Sequence, residues 1–361
     1  MRSGRDTRQR RAALPVRTMD VASASNVQIC GKPRALRISA AGAVYLAWGL
    51  LLLLLAPPSA LASKAMDILK DSIRADGRVI YSATVGIRVR GVGGKFTTHR
   101  QKLLQGGQNR RRVEVLSPRQ AAGRLIVSDG RSEWEYRPRA KLVQRRELRP
   151  LEEVQRVRLS ALQLVEDTLH ATCLGTGTAA GRKCDIIAVK PPDGRVVRKK
   201  IWIDKGKLVE LRWQRFTPHG ELAAEWGVQT IDFSPHLNPK AFTFKPPRGT
   251  KVVKIPCAKS MSLASAEKKI GFRAIVPSYL PPGFAFHEDR VAITRRNGKT
   301  ALWMRFLNGV DSFSIFQSKA LGKPPASSAQ FMYWETQGFS CLLTGRIQES
   351  QKQKVKESTQ R

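Results

Sequence analysis

The chain has 361 residues, of which 64 are Lys or Arg and 28 are Asp or Glu, so its formal net charge at pH 7 is +36. At about 150 residues per domain, this length predicts two domains once a processed segment is removed. The charge excludes an acidic protein and indicates either an anionic partner or basic residues spread over a solvated surface.

The first 62 residues carry the pattern of an export signal. An apolar run at 40–56 follows two arginines and precedes a small-x-small site at Ala60–Ala62. This order predicts a signal peptide cleaved before Ser63, which would leave the mature chain soluble in the periplasm or another extracytoplasmic space. The alternative is a retained N-terminal membrane anchor, because an apolar run of 17 residues reaches the lower limit for crossing a bilayer.

Export also changes what the charge means. The first 62 residues hold nine Lys or Arg and two Asp or Glu, which leaves +29 on the mature chain. Nucleic acid is the usual partner of so basic a protein. Outside the cytoplasm, however, the available polyanions are lipid head groups, lipopolysaccharide and anionic glycans, so we expect no nucleic-acid partner.

Four cysteines remain in the mature chain: Cys173, Cys184, Cys257 and Cys341. An even number in an oxidising compartment is typical of disulfide-bonded proteins. Cys173 and Cys184 flank the Gly-rich segment "CLGTGTAAGRKC", which we interpret as a loop closed by a local disulfide. The alternative is a pair of unrelated reduced thiols, and four cysteines permit three pairings.

The mature chain begins with a predicted amphipathic helix, "SKAMDILKDSIRADGR", in which apolar residues recur at helical spacing. The next segment, "VIYSATVGIRVRG", alternates strictly and predicts a strand with one buried and one wet face. Turn signals such as Asp129-Gly130, a two-residue type I′ turn by composition, separate the strands that follow. These are "KFTTHRQKLL", "RRVEVL", "GRLIVS", "SEWEYRP" and "KLVQRREL".

A second amphipathic helix, "PLEEVQRVRLSALQLVEDTLHAT", interrupts the strands and is predicted to lie against them. Strands resume at "KCDIIAVK", "RVVRKKIWID", "LVELRWQRF" and "ELAAEWGVQTIDF". This spacing indicates an α+β fold with one large curved antiparallel sheet in residues 63–253. A linker at 254–261 then leads to a smaller α+β domain, residues 262–361, that ends in a polar tail.

The sequence carries no motif that predicts an enzyme. The five histidines are scattered without the spacing of a zinc site, and neither a nucleophile elbow nor a phosphate-binding loop occurs. Glu133 and Glu135 share one strand face, which we expect to be the solvated one. We therefore predict a non-enzymatic binding protein without a metal or cofactor.

The placement of aromatic residues suggests what is bound. Trp134 and Tyr136 share one strand face, and Trp213 and Trp226 each share a face with aliphatic residues. One interpretation is an apolar cavity, on the concave side of the sheet, whose wall holds an acyl chain or another hydrophobic ligand. The alternative is an ordinary core in which helices cover the sheet.

Several segments resemble the LolA-like fold over roughly residues 65–253. They are "NRRRVEVLSP", "GRLIVSDGRSEWEYRPRAKLV", "AAGRKCDIIAVKPPDGRVVRKKIWID" and "TIDFSPHLNPKAFTFKPPRGTKVV". The later segment "KKIGFRAIVPSYLPPGFAF" is similar to the second domain of the RseB/MucB family of sigma-factor regulators. The resemblance implies a half-open antiparallel sheet, a LolA-like half-barrel with helices over its concave side, joined to a smaller domain.

The resemblance also implies a function. The first domain would hold an acyl chain, a lipoprotein or lipopolysaccharide, and the whole protein would mask a membrane-bound anti-sigma factor from proteolysis. The alternative within the same fold is a periplasmic carrier of lipoproteins or lipids.

Overall fold

The computed structural model describes residues 58–360, with gaps at 92, 164, 167–168, 191–195, 218, 256–259, 289–290, 297–298, 310, 320–330 and 346. The predicted signal peptide therefore lies largely outside the described residues, as does Cys257. The expected cleavage site of the signal peptide, Ala60–Ala62, falls within helix α1 (Pro58–Ala75). In the part of the chain that is described, no helix has the length and apolar character needed to span a membrane.

A 12-stranded sheet forms the first part of the chain. Its strands are β1 (Ile80–Arg90), β2 (Phe96–Gly106), β3 (Arg110–Ser117), β4 (Leu125–Asp129), β5 (Ser132–Arg137), β6 (Leu142–Glu147), β7 (His170–Ala179), β8 (Arg182–Lys190), β9 (Lys199–Asp204), β10 (Glu210–Phe216), β11 (Leu222–Asp232) and β12 (Lys251–Ile255). Their spatial order is β12-β6-β5-β4-β3-β2-β1-β11-β10-β9-β8-β7.

The predicted large, half-open sheet is confirmed. The end strands β12 and β7 lie at opposite edges and do not pair, so the sheet stays open. Neighbouring strands run antiparallel except for β12, which is parallel to β6. The difference arises because the chain crosses the sheet after β11 and then runs alongside β6 in the same direction.

Two helices pack together over one face of this sheet, α1 and α2 (Leu151–Gln163). The Gln155 amide of α2 donates to the carbonyls of Arg74 and Asp76, which stand at the end of α1. These bonds satisfy carbonyls that a helix end leaves without intrahelical partners. Just beyond α2, Glu166 accepts a hydrogen bond of 2.6 Å from Lys70 of α1.

The prediction of a Gly-rich loop between Cys173 and Cys184 is wrong. The segment forms edge strand β7 and turns at Ala180 and Gly181, both with positive φ, into β8. A side chain at Gly177 would begin 2.7 Å from the Ile186 side chain, so glycine here lets the two strands pair closely. An edge strand tolerates glycines because it pairs with a neighbouring strand on one side only.

The predicted disulfide between Cys173 and Cys184 is absent, and both residues are free thiols. The strand register explains why. Cys173 lies opposite Ile187, whereas Cys184 lies opposite Gly177, so the two cysteines are not cross-strand neighbours. Cys184 is fully buried in the core and Cys173 is half-buried.

A second sheet of seven strands begins at Ser260. Its strands are β13 (Ser260–Met261), β14 (Ala285–Phe286), β15 (Val291–Arg296), β16 (Lys299–Leu307), β17 (Ser312–Ser318), β18 (Phe331–Thr336) and β19 (Phe339–Gly345). Helices α3 (Leu263–Ile270) and α4 (Glu349–Ser358) complete this part. Ala266 of α3 and Val355 of α4 join one hydrophobic cluster with residues of the sheet, so the polar tail of the chain is a packed helix.

Residues 234–250, which lie between β11 and β12, cross the large sheet on the face opposite α1; we call this segment the strap. Phe242 of its short 3₁₀ helix (Pro239–Phe242) is only 2% exposed. A side chain at Gly106 would begin 2.3 Å from the Phe242 ring, so the absence of a side chain there creates its seat. Arg112 also donates to the strap carbonyl of Ala241.

We predict that Phe242→Ala lowers the free energy of unfolding by about 3–5 kcal/mol, because it empties a buried aromatic site. Leu174→Ala is the matched control, since Leu174 is 52% exposed and its loss should change stability by less than about 0.5 kcal/mol. Urea unfolding followed by circular dichroism measures both values. Equal stability of the two variants would show that the strap does not hold the fold.

Candidate functional site

The four aromatic residues predicted to line one cavity lie on two different faces of the sheet. Residues paired directly across antiparallel strands project to the same face. Trp226 pairs with Trp213 and with Ile87 of β1. Ile87 is two residues from the buried Val85 on β1 and lies on the same face, where both pack in the core with α1, so this side is the helix face.

The other two aromatics project to the opposite side. Trp134 pairs with Val127, and the pairing continues through Arg112 and Leu104 to Ser82 of β1. Ser82 has the opposite parity to Ile87 on a strand that alternates regularly. Trp134 and Tyr136 therefore lie on the strap face, and the prediction that they share a concave wall with the other two is wrong.

The helix face at Trp213 and Trp226 is a filled core. Their exposed fractions are only 5% and 9%, and they share a hydrophobic cluster with Ala65 and Met66 of α1. Lys199 and Arg215 lie over the edge of this region, each 5.4 Å from the centre of the Trp213 ring. The two tryptophans thus mark where α1 docks on the sheet.

On the strap face, Trp134 and Tyr136 are half-buried. The Arg145 guanidinium lies 5.5 Å from the Trp134 ring centre, and the Tyr136 ring lies 6.0 Å from that of Phe244 in the strap. Tyr136 therefore packs against the strap, whereas Trp134 packs beside Arg145 of β6. The nearby turn is not type I′, because Asp129 lacks the required positive φ and its carboxylate instead accepts from the Arg131 and Ser132 amides.

Glu133 and Glu135 are buried, which corrects the prediction that they lie on a solvated face. Their exposed fractions are 4% and 7%. Each carboxylate is held between two arginines on the helix face: Glu133 by Arg111 and Arg146, and Glu135 by Arg124 and Arg137. Both contacts to Glu135 measure 2.8 Å. Alternation alone shows which residues share a face, but these ionic partners decide which face is buried.

A third buried glutamate repeats the arrangement on the strap face. Glu225 is fully buried and accepts hydrogen bonds of 2.8 Å from Arg212 and 3.0 Å from Gln214. Arg88 approaches the second carboxylate oxygen at 3.5 Å. The Arg212 guanidinium also lies 4.6 Å from the centre of the Trp202 ring. A buried glutamate carboxylate held by two arginines thus occurs on both faces of the sheet.

A groove with a volume of about 430 Å³ opens near the middle of the strap face. It is lined by hydroxyl groups of β1 and β11 and by side chains of β2 and β3 that carry both signs of charge. Lys102 and Glu114 face each other across two of these strands. Aliphatic side chains, among them Leu104, line the groove as well, so its wall is mixed, and the four aromatic residues predicted to line a cavity are not among its lining residues.

The two sheets contact each other through a small mixed interface. Arg198 forms an ion pair of 3.0 Å with Asp311, and both side chains are largely buried. A side chain at Gly309 would begin 2.9 Å from Val165 and from Leu169, so the second sheet approaches the segment after α2 very closely. Leu307 packs against the core of the large sheet. A physical link therefore joins the two parts of the chain.

The buried thiols are poor nucleophiles. Burial, aided by the nearby Asp204 carboxylate, raises the pKa of Cys184 to about 11, and burial raises the pKa of Cys341 to about 12. Because the thiolate is the reactive form, both residues are inert near neutral pH. Among residues 58–360 outside the gaps, no three His, Cys, Asp or Glu side chains are grouped closely enough to hold a metal ion.

We predict that Trp213→Ala and Trp226→Ala each lower the free energy of unfolding by about 3–5 kcal/mol, because both empty a filled core. Trp134→Ala should cost about 1 kcal/mol, since it removes a half-buried ring and one contact with a cation. Chemical unfolding of the three variants tests the contrast. A larger loss at Trp134 than at Trp213 would contradict the assignment of faces.

We also predict that iodoacetamide alkylates Cys173 well before Cys184 and Cys341 in the folded protein. Raising the pH from 7 towards 9 should leave the two buried thiols unmodified, because their raised pKa values keep them protonated. Peptide mass spectrometry resolves each site, and the same reaction in urea provides the control in which all three react. Rapid alkylation of Cys184 under native conditions would contradict its burial.

No protein-family model matches the chain, and no curated protein is significantly similar to it. Solved structures are similar. Pseudomonas aeruginosa MucB in its complex with MucA is 17% identical with a TM-score of 0.52, and the match covers 81% of this chain and 96% of that chain. A structure of MucB with MucA(peri) gives the same values.

A LolA superfamily protein from Nitrosomonas europaea is 14% identical and matches 50% of this chain and 97% of its own length, with a TM-score of 0.26. The MucB match extends over most of both chains. This chain therefore has the fold of MucB, and in it a large half-open sheet is followed by a smaller α+β part.

Proposed function

We propose that this protein is a non-enzymatic extracytoplasmic sensor that binds a lipid or lipoprotein and regulates a membrane-bound anti-sigma factor. The observation that carries the proposal is the MucB match, which extends over 96% of a protein crystallised in complex with MucA. A carrier built from the large sheet alone would not need the second domain. The arrangement of both sheets therefore favours a regulator over a carrier.

The contact between the two sheets is where ligand binding would control the partner. A ligand shifts a conformational equilibrium only if it binds the two states with different affinity. The Arg198–Asp311 ion pair and the close approach of Gly309 to Leu169 belong to one state. Breaking them would separate the domains and change the surface offered to the anti-sigma factor.

A lipid has to displace α1 to enter the apolar region of the helix face. Trp213, Trp226 and Met66 already fill the space between α1 and the sheet. The displacement is transmitted through Lys70, which binds Glu166 next to Val165. Since Val165 also packs under Gly309, movement of α1 would reach the contact between the domains.

The experiment uses the mature chain as bait for solubilised envelope proteins, together with acyl uptake measured by tryptophan fluorescence and mass spectrometry. We expect capture of an anti-sigma factor, and we expect a long-chain fatty acid or lipopolysaccharide to alter that capture. Recovery of lipoproteins without an anti-sigma factor would indicate a carrier instead. Failure to bind any acyl compound would refute the sensor.

Asp311→Asn tests the coupling between ligand and partner. Removing one partner of a largely buried ion pair should weaken the domain contact, so the variant should bind the anti-sigma factor with reduced sensitivity to lipid. Asp71→Asn is the matched control, because Asp71 forms an exposed pair with Arg74 within α1 and such pairs contribute little. Equal lipid sensitivity in both variants would show that the ion pair has no role in coupling.

A further inference from the structure

The helix face of the large sheet divides into two regions of different chemistry. From β7 to β11 and across β1, apolar side chains and α1 form the core. Across β3 to β6, the same face instead carries arginines: Arg111, Arg124, Arg137 and Arg146. We call these four residues the arginine plate. It rests on two buried carboxylates, Glu133 and Glu135.

The arginine plate has more positive than negative charge. Four guanidinium groups share two carboxylates, and each arginine keeps 26–37% of its side chain exposed. Glu133 and Glu135 are two residues apart on one strand, which places them about 7 Å apart. The surplus is therefore concentrated in a small area and not spread over the surface.

At Glu135 the two arginines converge on a single oxygen, whereas at Glu133 each arginine binds a different one. Arg124 and Arg137 both bind the same carboxylate oxygen at 2.8 Å. Burial, and then the positive charge of Arg137, lower the pKa of Arg124. One shared carboxylate therefore does not fully compensate the two guanidinium groups, and an added anion would relieve their repulsion.

The surface next to the two arginines is also basic. Two exposed arginines, Arg119 and Arg139, extend the positive surface from the adjoining loops. Arg139 follows Arg137 by only two residues and donates to the carbonyl of Arg119, which keeps the two loops together. Guanidinium groups present forked donors that match the oxygens of phosphate and carboxylate.

We propose that Arg124 and Arg137 form a binding site for a phosphate monoester. Two positive charges against one carboxylate favour a dianion, and a phosphate monoester carries a charge of about −1.5 to −2 at pH 7. The phosphate would accept from both guanidinium groups on the side away from Glu135. The site goes beyond the proposed sensor function, because it requires neither acyl uptake nor an anti-sigma factor.

The test compares two triple variants of the mature chain by calorimetric titration with inorganic phosphate. The first combines Arg124→Gln and Arg137→Gln with Glu135→Gln, so that no buried carboxylate loses its cations. We expect phosphate binding about tenfold weaker or weaker still, because two charge-assisted donors are lost. Thermal unfolding establishes that the variant remains folded.

The matched control makes the same changes on the opposite face of the sheet. Arg88→Gln, Arg212→Gln and Glu225→Gln remove an equal charge from another buried glutamate held by two arginines. This variant should bind phosphate as the unmodified chain does. Equal weakening in both variants, or no phosphate binding by the unmodified chain, would overturn the site. If the first variant fails to unfold cooperatively, Arg137→Gln alone replaces it, because Arg124 still pairs with Glu135, and undiminished binding would again overturn the site.

Vesicles identify the source of the phosphate. Phosphatidylcholine vesicles containing phosphatidic acid present a monoester, whereas those containing phosphatidylglycerol present only a diester. Binding to the first alone, lost in the Arg124 and Arg137 variant, assigns the site to a lipid head group. Binding of free phosphate without binding to either vesicle assigns it to a soluble phosphate monoester. Equal binding to both vesicles that survives in the variant would contradict the proposal.

Discussion

The structure depends on how one very wide sheet covers two faces with few elements. Helix α1 covers the helix face over β7–β11 and β1, and the strap covers the opposite face over β2–β5. Each face of the sheet thus has two halves, and on each face one half is covered by an apolar element. In the remaining half of each face, buried glutamates hold pairs of arginines, and the alkyl stems and planar guanidinium groups of these arginines shield the sheet. So open a sheet therefore needs few helices.

Holding each buried glutamate between two arginines also affects the net charge of the chain. Burial of a single charge costs several kcal/mol, and a buried carboxylate is tolerated only when ionic and hydrogen-bonding partners surround it. Glu133, Glu135 and Glu225 each meet this condition with two arginines. Every such unit adds one positive charge. Part of the chain's net charge of +36 is therefore structural in origin, and neither a solvated surface nor a partner alone accounts for it.

Sequence periodicity predicted the elements better than their environment. The strict alternation of β1 and the helical spacing of α1 and α2 identified these elements correctly, as did the turn signals between strands. Alternation also paired Glu133 with Glu135 and Trp134 with Tyr136, but it cannot show which pair is buried, because the deciding arginines lie on other strands. In β7, Gly175 and Gly177 led to the prediction of a loop. The segment is an edge strand, which accepts glycine at position 177 because the neighbouring strand carries the large Ile186 side chain there.

The segment that joins α2 to β7 gives the fold a route between its two domains. Glu166 is tied to Lys70 of α1, while Val165 and Leu169 pack both in the core under α1 and beneath Gly309 of the second domain. Because a closely packed core transmits displacement and does not absorb it, α1 cannot leave the tryptophans without disturbing this segment. The residues that close the apolar region thus also contact the second domain, so displacing α1 would disturb that contact as well.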